Sequence, residues 1–181
     1  MGIFKHGPSD YPSFLLWLLD ETHVTVTAAT ALVILCTRSA HSVYFGLGAV
    51  GSTLIARGIK RTIRQPRPPP PSESKPSPVR PKKTYGMPST HSTAIAFYFV
   101  YLWPLCPMVL NAWVERAALS LVGGMTLWSR IELGYHTVPQ VVAGSTVGAV
   151  SALVWSALWS AYPAIQPALQ NTIDNCVGLV L

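Results

Sequence analysis

The sequence predicts an all-α membrane protein, a polytopic bundle of five to six transmembrane helices within a single domain at residues 1–181. Three observations lead to this prediction. Half of the residues are hydrophobic. Only 11% are charged, whereas a soluble domain usually has about 25%. The hydrophobic residues form long runs and do not alternate with polar ones, as they would in half-buried β-strands.

Five hydrophobic runs are candidates for membrane-spanning helices, which need about 20 mostly apolar residues. They are Thr22–Thr37, Ala40–Ile59, Ser92–Leu110, Val114–Trp128 and Thr137–Tyr162. The first is short and rich in threonine, and the fourth carries Glu115 and Arg116 near its start, as a helix end at the membrane interface would. A shorter run, Phe14–Leu19, is followed at once by Asp20 and Glu21 and therefore predicts an interfacial helix.

The basic residues are concentrated in one part of the chain. Nine of the thirteen Lys and Arg lie between Arg57 and Lys83, and the net charge is +6. Part of this stretch, residues 66–83, contains eight prolines in eighteen residues and predicts an extended loop, because proline blocks helix continuation. A basic cluster between two membrane-length runs favours a lipid phosphate as partner and argues against nucleic acid.

Three short polar segments contain the residues suited to chemistry. They are Lys60–Pro68 (KRTIRQPRP), Met87–Ser92 (MPSTHS) and Ser129–Gln140 (SRIELGYHTVPQ). If each run crosses the bilayer once, the end of the second run and the start of the third lie on one side. Two further crossings return the chain to that side at Ser129. The three segments are therefore expected to form one site at one membrane face.

The residue types in these segments suit phosphoryl transfer. One imidazole can attack phosphorus while a second protonates the leaving oxygen, and His91 and His136 are the candidates. Lys60, Arg67 and Arg130 can neutralise the phosphate oxygens, and a helix that starts at Ser89 offers an anion its free N–H groups. Simpler interpretations stay open at this point, namely a helix cap for Ser89 and a membrane-edge anchor for Arg130.

The remaining basic and metal-binding residue types are assigned structural roles. Arg57, Arg61 and Arg64 share a helical stripe and are interpreted as facing lipid headgroups, and His6, His23 and His41 are interpreted as structural. The carboxylates are few and the three cysteines are widely spaced, so neither a metal nor another cofactor is expected.

The three segments resemble the signature of the type 2 phosphatidic acid phosphatase superfamily, which reads K-x6-RP, PS-x-H and SR-x5-H-x3-D. The resemblance implies that His136 is the nucleophile and forms a phosphohistidine, and that His91 is the acid. It also implies a metal-free helical membrane enzyme. The residues that it implies as phosphate ligands are Lys60, Arg67, Ser89, Thr90 and Arg130.

One position departs from the signature, because Gln140 stands where the superfamily usually has Asp. A glutamine carbonyl can accept the ring N–H of His136 and fix its tautomer, but it supplies no charge. The departure could instead reduce activity, or a carboxylate such as Glu132 could supply the missing charge. The string YHTVPQV resembles that of eukaryotic dolichyl diphosphate phosphatases, which implies a polyprenyl diphosphate substrate.

Several alternatives remain. The substrate could instead be a monoester such as phosphatidate, lysophosphatidate or a sphingoid-base phosphate, or the chain could be an inactive relative that binds or transports lipid phosphates. Vanadium haloperoxidases share the constellation, but they are soluble, which the hydrophobic runs disfavour. The dolichyl resemblance implies the endoplasmic reticulum with a lumenal site, whereas the basic cluster would place residues 57–83 in the cytoplasm. The oligomeric state is not indicated.

Overall fold

A computed structural model describes residues 9, 11–69, 84–106, 109 and 111–178. Over these ranges the chain forms helices and no β-strand, which confirms the all-α prediction. The helices are α1 (Phe14–Asp20), α2 (Thr22–Thr37), α3 (Ala40–Ile63), α4 (Thr90–Leu102), α5 (Ala112–Glu132), α6 (Val138–Ala161) and α7 (Ile165–Gly178). A 3-10 turn, Trp103–Leu105, continues α4.

Fewer helices than predicted meet the length and hydropathy expected of a membrane span. Among the described residues α3 and α6 meet it, and α1 with α2 make a third span if their junction, bent by 52°, is a break within one crossing. The helix α4 has only 13 residues, because Pro104 follows closely and cannot continue an α-helix. The helix α5 has 21 residues, but Glu115 and Arg130 are among the charged residues within it.

The helix predicted at the interface is α1. Ser13 caps it by accepting a hydrogen bond from the Leu16 backbone N–H. Its inner face packs on α5 and on the loop after it, where Leu16 joins a buried cluster with Leu133 and Tyr135. Asp20, the charged residue that follows the apolar run, is buried. The chain then turns at Glu21 directly into α2.

The centre of the bundle is the packing of α4 on α6. Cβ atoms on Gly144 and Gly148 would overlap the carbonyl oxygens of Ser89 and Thr93, so only glycine permits this approach of the two backbones. A hydrogen bond of 3.0 Å from the Ser89 N–H to the Gln140 carbonyl oxygen also joins the two backbones. The N-terminal ends of α4 and α6 consequently lie side by side.

Large apolar side chains are exposed along the outside of the bundle. They include Leu32 and Leu35 on α2, Leu47 and Leu54 on α3, Leu121 on α5, and Val150 and Leu153 on α6. An exposed apolar surface on several helices is typical of contact with lipid rather than with water. Residues 66–69 of the predicted Pro-rich loop are non-helical, and residues 70–83 lie outside the described residues.

Candidate functional site

The three polar segments meet around one cavity of about 950 Å³, here called the central cavity. Six of the eight predicted site residues line it: Lys60, Arg67, Thr90, His91, Arg130 and His136. The other two, Ser89 and Gln140, are buried. The cavity also has an apolar wall, formed by side chains of α2, α3 and α4 that include Val26, Ile34, Leu47, Val50 and Tyr98. The central cavity thus offers cations and imidazoles to a headgroup and a hydrophobic surface to a lipid chain.

The imidazole of His136 is held between two partners. Its Nδ1 lies 3.1 Å from Gln140 Oε1, and its Nε2 lies 3.1 Å from Arg67 Nη1. Because a guanidinium can only donate, Nε2 accepts this bond and carries no proton. The proton of the neutral ring is therefore on Nδ1, where Gln140 accepts it. Nε2, which carries a lone pair and no proton, is the ring atom that can act as a nucleophile.

The surroundings of His136 keep the ring neutral. Burial and then the charge of Arg67 lower the pKa of His136 from 6.5 to about 3, with smaller contributions from the charges of Lys60 and Arg130. The hydrogen bond to Gln140 opposes this shift. At neutral pH the imidazole is therefore unprotonated, which is the form that can act as a nucleophile.

The amide of Gln140 is fixed by four hydrogen bonds. Its Oε1 accepts from His136 Nδ1 and, at 3.3 Å, from the Thr137 N–H. Its Nε2 donates to Gln65 Oε1 at 3.0 Å and to the Pro66 carbonyl oxygen at 2.9 Å. The side chain is 2% exposed. Gln140 is therefore the residue that contacts the His136 ring at Nδ1, whereas Glu132 is exposed on α5.

Arg67 ties its own segment to the loop before α6. Its Nη1 donates to the Tyr135 carbonyl oxygen at 2.9 Å as well as to His136. On the other side, its Nε and Nη2 donate to the carbonyl and the hydroxyl of Thr84 at 2.9 and 3.1 Å. Burial lowers the pKa of Arg67 from its usual value, but an arginine remains charged at neutral pH.

The start of α4 supplies the remaining predicted residues on that side of the cavity. Ser89 is the N-cap, since its hydroxyl accepts from the Ser92 N–H, and its side chain is fully buried. Lys60 Nζ donates to Thr90 Oγ1 at 3.1 Å. His91, in the first turn, lies edge-on to His23 with ring centroids 5.2 Å apart. The capping interpretation of Ser89 is therefore observed, and Lys60, Thr90 and His91 face the central cavity.

Arg130 is arranged differently from an open phosphate ligand. Its Nη1 forms an ion pair of 2.5 Å with Asp20 Oδ1, and the arginine is 1% exposed. Its other nitrogens donate to the Leu19 carbonyl oxygen and to the Ser129 hydroxyl. Asp20 in turn accepts from the hydroxyls of Tyr11 and Tyr135 at 2.5 and 3.1 Å.

Sequence reasoning missed several residues of this site. Asp20 lies 110 positions from Arg130, and no spacing links them. Gln65 lies inside a recognised motif but at a position that the signature leaves open. Arg57, Arg61 and His23 were assigned to headgroup-facing or structural roles, yet they line the central cavity beside the predicted residues.

The chain is similar to known proteins over most of its length. The family model described as the PAP2 superfamily matches residues 41–163. Dolichyldiphosphatase 1 of Rhinolophus ferrumequinum is 31% identical over 163 residues, which cover 83% of this chain and 66% of that protein. Dolichyldiphosphatase of Saccharomyces cerevisiae is 28% identical over 153 residues, covering 81% of this chain and 63% of the relative. No solved structure matches the chain.

The chain is also similar to a plant protein that is not named a dolichyldiphosphatase. Lipid phosphate phosphatase epsilon 2, chloroplastic, of Arabidopsis thaliana is 29% identical over 136 residues, covering 72% of this chain and 44% of that protein. The chain spans less than two thirds of the length of these curated relatives. The family match itself covers more than half of the chain and includes all three polar segments. The chain therefore belongs to the PAP2 superfamily.

Proposed function

We propose that this chain is a metal-independent lipid phosphatase of the membrane that removes the terminal phosphate of a polyprenyl diphosphate such as dolichyl diphosphate. The observation that carries the proposal is the neutral, buried imidazole of His136. His136 lines the central cavity together with Lys60, Arg67 and His91, and its Nε2 lies 3.1 Å from Arg67 Nη1. The phosphate would lie among these side chains, and the prenyl chain would follow the apolar wall of the same cavity.

The reaction would proceed in two steps. In the first, His136 Nε2 forms a bond to the terminal phosphorus while the bond from phosphorus to the bridging oxygen breaks. His91, protonated, gives its proton to that oxygen, so the lipid monophosphate leaves. In the second step His91 takes a proton from water, the water oxygen bonds to phosphorus, the P–N bond breaks, and inorganic phosphate is released.

The cations would act on the transferring phosphoryl group. Lys60, which is buried, and Arg67, which is half-buried, bring positive charge to the cavity, where it stabilises developing negative charge. For this, Arg67 Nη1 must give up its hydrogen bond to His136 Nε2 and donate to a phosphate oxygen instead. Ser89 and Thr90 are proposed to donate further hydrogen bonds to the phosphate from the start of α4. Arg130, which is paired with Asp20, is proposed to add positive charge from its buried position.

The choice of a polyprenyl diphosphate is supported by the names of the relatives and by residue 140. Two of the relatives are named dolichyldiphosphatase. With a diphosphate the leaving group is the lipid monophosphate, which is a better leaving group than an alcohol and suits a nucleophile oriented by the uncharged Gln140. The second candidate is a phosphatase of phosphatidate or sphingoid-base phosphate monoesters, which the name lipid phosphate phosphatase favours. The third, an inactive protein that binds or transports lipid phosphates, rests on Gln140 alone.

A substrate panel tests the proposal. Purified protein in detergent is given dolichyl diphosphate, dolichyl phosphate, phosphatidate and a sphingoid-base phosphate, each with and without a chelator. The expected result is fastest release of phosphate from dolichyl diphosphate, unchanged by the chelator and lost in His136→Ala. Preference for phosphatidate would favour the second candidate. Binding of all four lipids without turnover would favour the third.

The membrane arrangement is also part of the proposal. We place the chain in the endoplasmic reticulum with five to six crossings and with the central cavity towards the lumen. The sequence contains no Asn-x-Ser/Thr acceptor, so an acceptor inserted within residues 66–83 reports the side of that segment. Glycan addition that endoglycosidase removes is expected. An unmodified segment, together with modification of an acceptor placed after α6, would reverse the orientation.

A further inference from the structure

The amide group of Gln140 sits in a pocket with two different sides. On one side are two donors, the Nδ1–H of His136 and the backbone N–H of Thr137, both directed at Oε1. On the other side are two acceptors, Gln65 Oε1 and the Pro66 carbonyl oxygen, both within 3.0 Å of Nε2. Only an amide, with one accepting and one donating end, satisfies both sides at once.

The backbone around Gln65 is built to hold this pocket in place. The Gly86 N–H donates to the Gln65 carbonyl oxygen at 2.7 Å and so joins the segment before α4 to the segment after α3. Gly86 also lies against the Gln140 side chain so closely that a Cβ atom there would overlap the amide. The backbone of Gln65 is therefore held in place by a contact that does not involve Gln140.

A carboxylate at position 140 would match the hydrogen-bonding groups of this pocket poorly. Its second oxygen would replace Nε2 and lie about 3 Å from two other oxygens, with no proton between them. Gln65 can turn its own amide to present a donor, but a backbone carbonyl such as that of Pro66 cannot. Burying a charge against an unpaired acceptor is costly, and the side chain responds by moving or by taking up a proton.

We propose that Gln65 is a positioning residue, which together with the Pro66 carbonyl orients the Gln140 amide so that its oxygen faces His136. This rests on the proposed function, because it explains how Nε2 of His136 is kept unprotonated for attack. It has a specific consequence. In this chain glutamate at position 140, which has the same chain length, would be a worse partner for His136 than glutamine is.

Substitutions at position 65 test the orientation. Gln65→Leu removes one of the two acceptors of Gln140 Nε2, which weakens the preference for the amide orientation that directs Oε1 at His136 Nδ1. Loss of the correct histidine tautomer lowers turnover by up to about 10⁴-fold in other enzymes, and we expect kcat to fall by about tenfold or more with KM changed less than about threefold. Gln65→Glu keeps an acceptor at the same place and is expected to rescue most of the turnover.

The tautomer itself provides a readout independent of activity. In protein with ¹⁵N-labelled histidine, the ring nitrogens of His136 should show a protonated Nδ1 and an unprotonated Nε2. In Gln65→Leu, but not in Gln65→Glu, the signals should shift towards the other tautomer. The matched control is Gln166→Leu, which makes the same substitution at an exposed position on α7. It should change neither kcat nor the tautomer.

Position 140 provides the opposing test. Gln140→Glu preserves chain length and is expected to lower kcat by about tenfold or more. Wild-type or higher turnover in Gln140→Glu, or a His136 tautomer that Gln65→Leu leaves unchanged, would overturn the inference. Failure of the proposed function has a different signature, namely turnover that survives His136→Ala or is absent from the wild type with every lipid. In that case the tautomer measurement still decides the role of Gln65.

Discussion

The buried ion pair between Asp20 and Arg130 allows a stability prediction to be worked from the structure. The substitution Asp20→Asn preserves the shape of the side chain and leaves no cavity, but it removes the charge. Arg130 is 1% exposed, and the Asp20 side chain 10%. Removal of one partner from a buried pair costs about 3–5 kcal/mol, because the remaining charge stays buried without compensation. We expect the free energy of unfolding to fall by that amount.

Two further bonds of the carboxylate refine the expectation. The hydroxyls of Tyr11 and Tyr135 both donate to Asp20 Oδ2. A hydrogen bond to a charged group contributes about 1.5–3 kcal/mol. The substitution Tyr11→Phe should therefore destabilise the protein by less than Asp20→Asn does, since it leaves the ion pair with Arg130 intact.

Unfolding by denaturant in detergent micelles, followed by the fluorescence of the six tryptophans, measures these values. The control is Glu132→Gln, which removes a charge from the exposed end of α5 and is expected to change stability by less than about 0.5 kcal/mol. A loss below about 1 kcal/mol for Asp20→Asn would contradict a desolvated pair, because only exposed pairs contribute so little.

Two other predictions follow from the same structure. The pKa of His136 is about 3 in the folded protein and 6.5 in the unfolded chain. Between these pH values the unfolded chain therefore binds a proton that the folded chain does not. The free energy of unfolding consequently decreases as pH falls from 6.5 towards 3, by at most about 1.4 kcal/mol per pH unit. Stability titrations of the wild type and His136→Gln should show a shallower slope for the variant, and equal slopes would contradict the buried neutral ring. Gly148→Ala should destabilise by about 1–3 kcal/mol through overlap with Thr93, whereas Gly124→Ala, which meets no atom within 4 Å, should not; equal unfolding free energies for the two variants would contradict the close packing of α4 on α6.

The sequence was most informative where bilayer geometry constrains the chain. Counting crossings predicted that three segments far apart in the sequence would lie together, and the structure brings Lys60, His91 and His136 to one cavity. The superfamily resemblance implied a contact between residue 140 and the nucleophilic histidine, and in the structure Gln140 Oε1 lies 3.1 Å from His136 Nδ1. The first expectation came from counting crossings and the second from the matched motif.

The sequence was least informative about contacts that depend on tertiary packing. Asp20 reads as the polar end of an interfacial helix, and only the packing of α1 on α5 reveals it as the partner of Arg130. Hydrophobic runs likewise did not predict the helix bounds, because the run predicted at Ser92–Leu110 is α-helical only from Thr90 to Leu102 and then forms a 3-10 turn. Gln65 was overlooked because its contact depends on where its segment is placed relative to α6.

The most direct test of the account is to identify the phosphorylated residue. The purified protein is mixed with dolichyl diphosphate labelled in its terminal phosphate, quenched rapidly in alkali, which preserves phosphohistidine, and digested for mass spectrometry. The account predicts phosphate on the imidazole of His136, at Nε2, and no labelled peptide from His136→Ala. Label on another residue, or full turnover by His136→Ala, would contradict it.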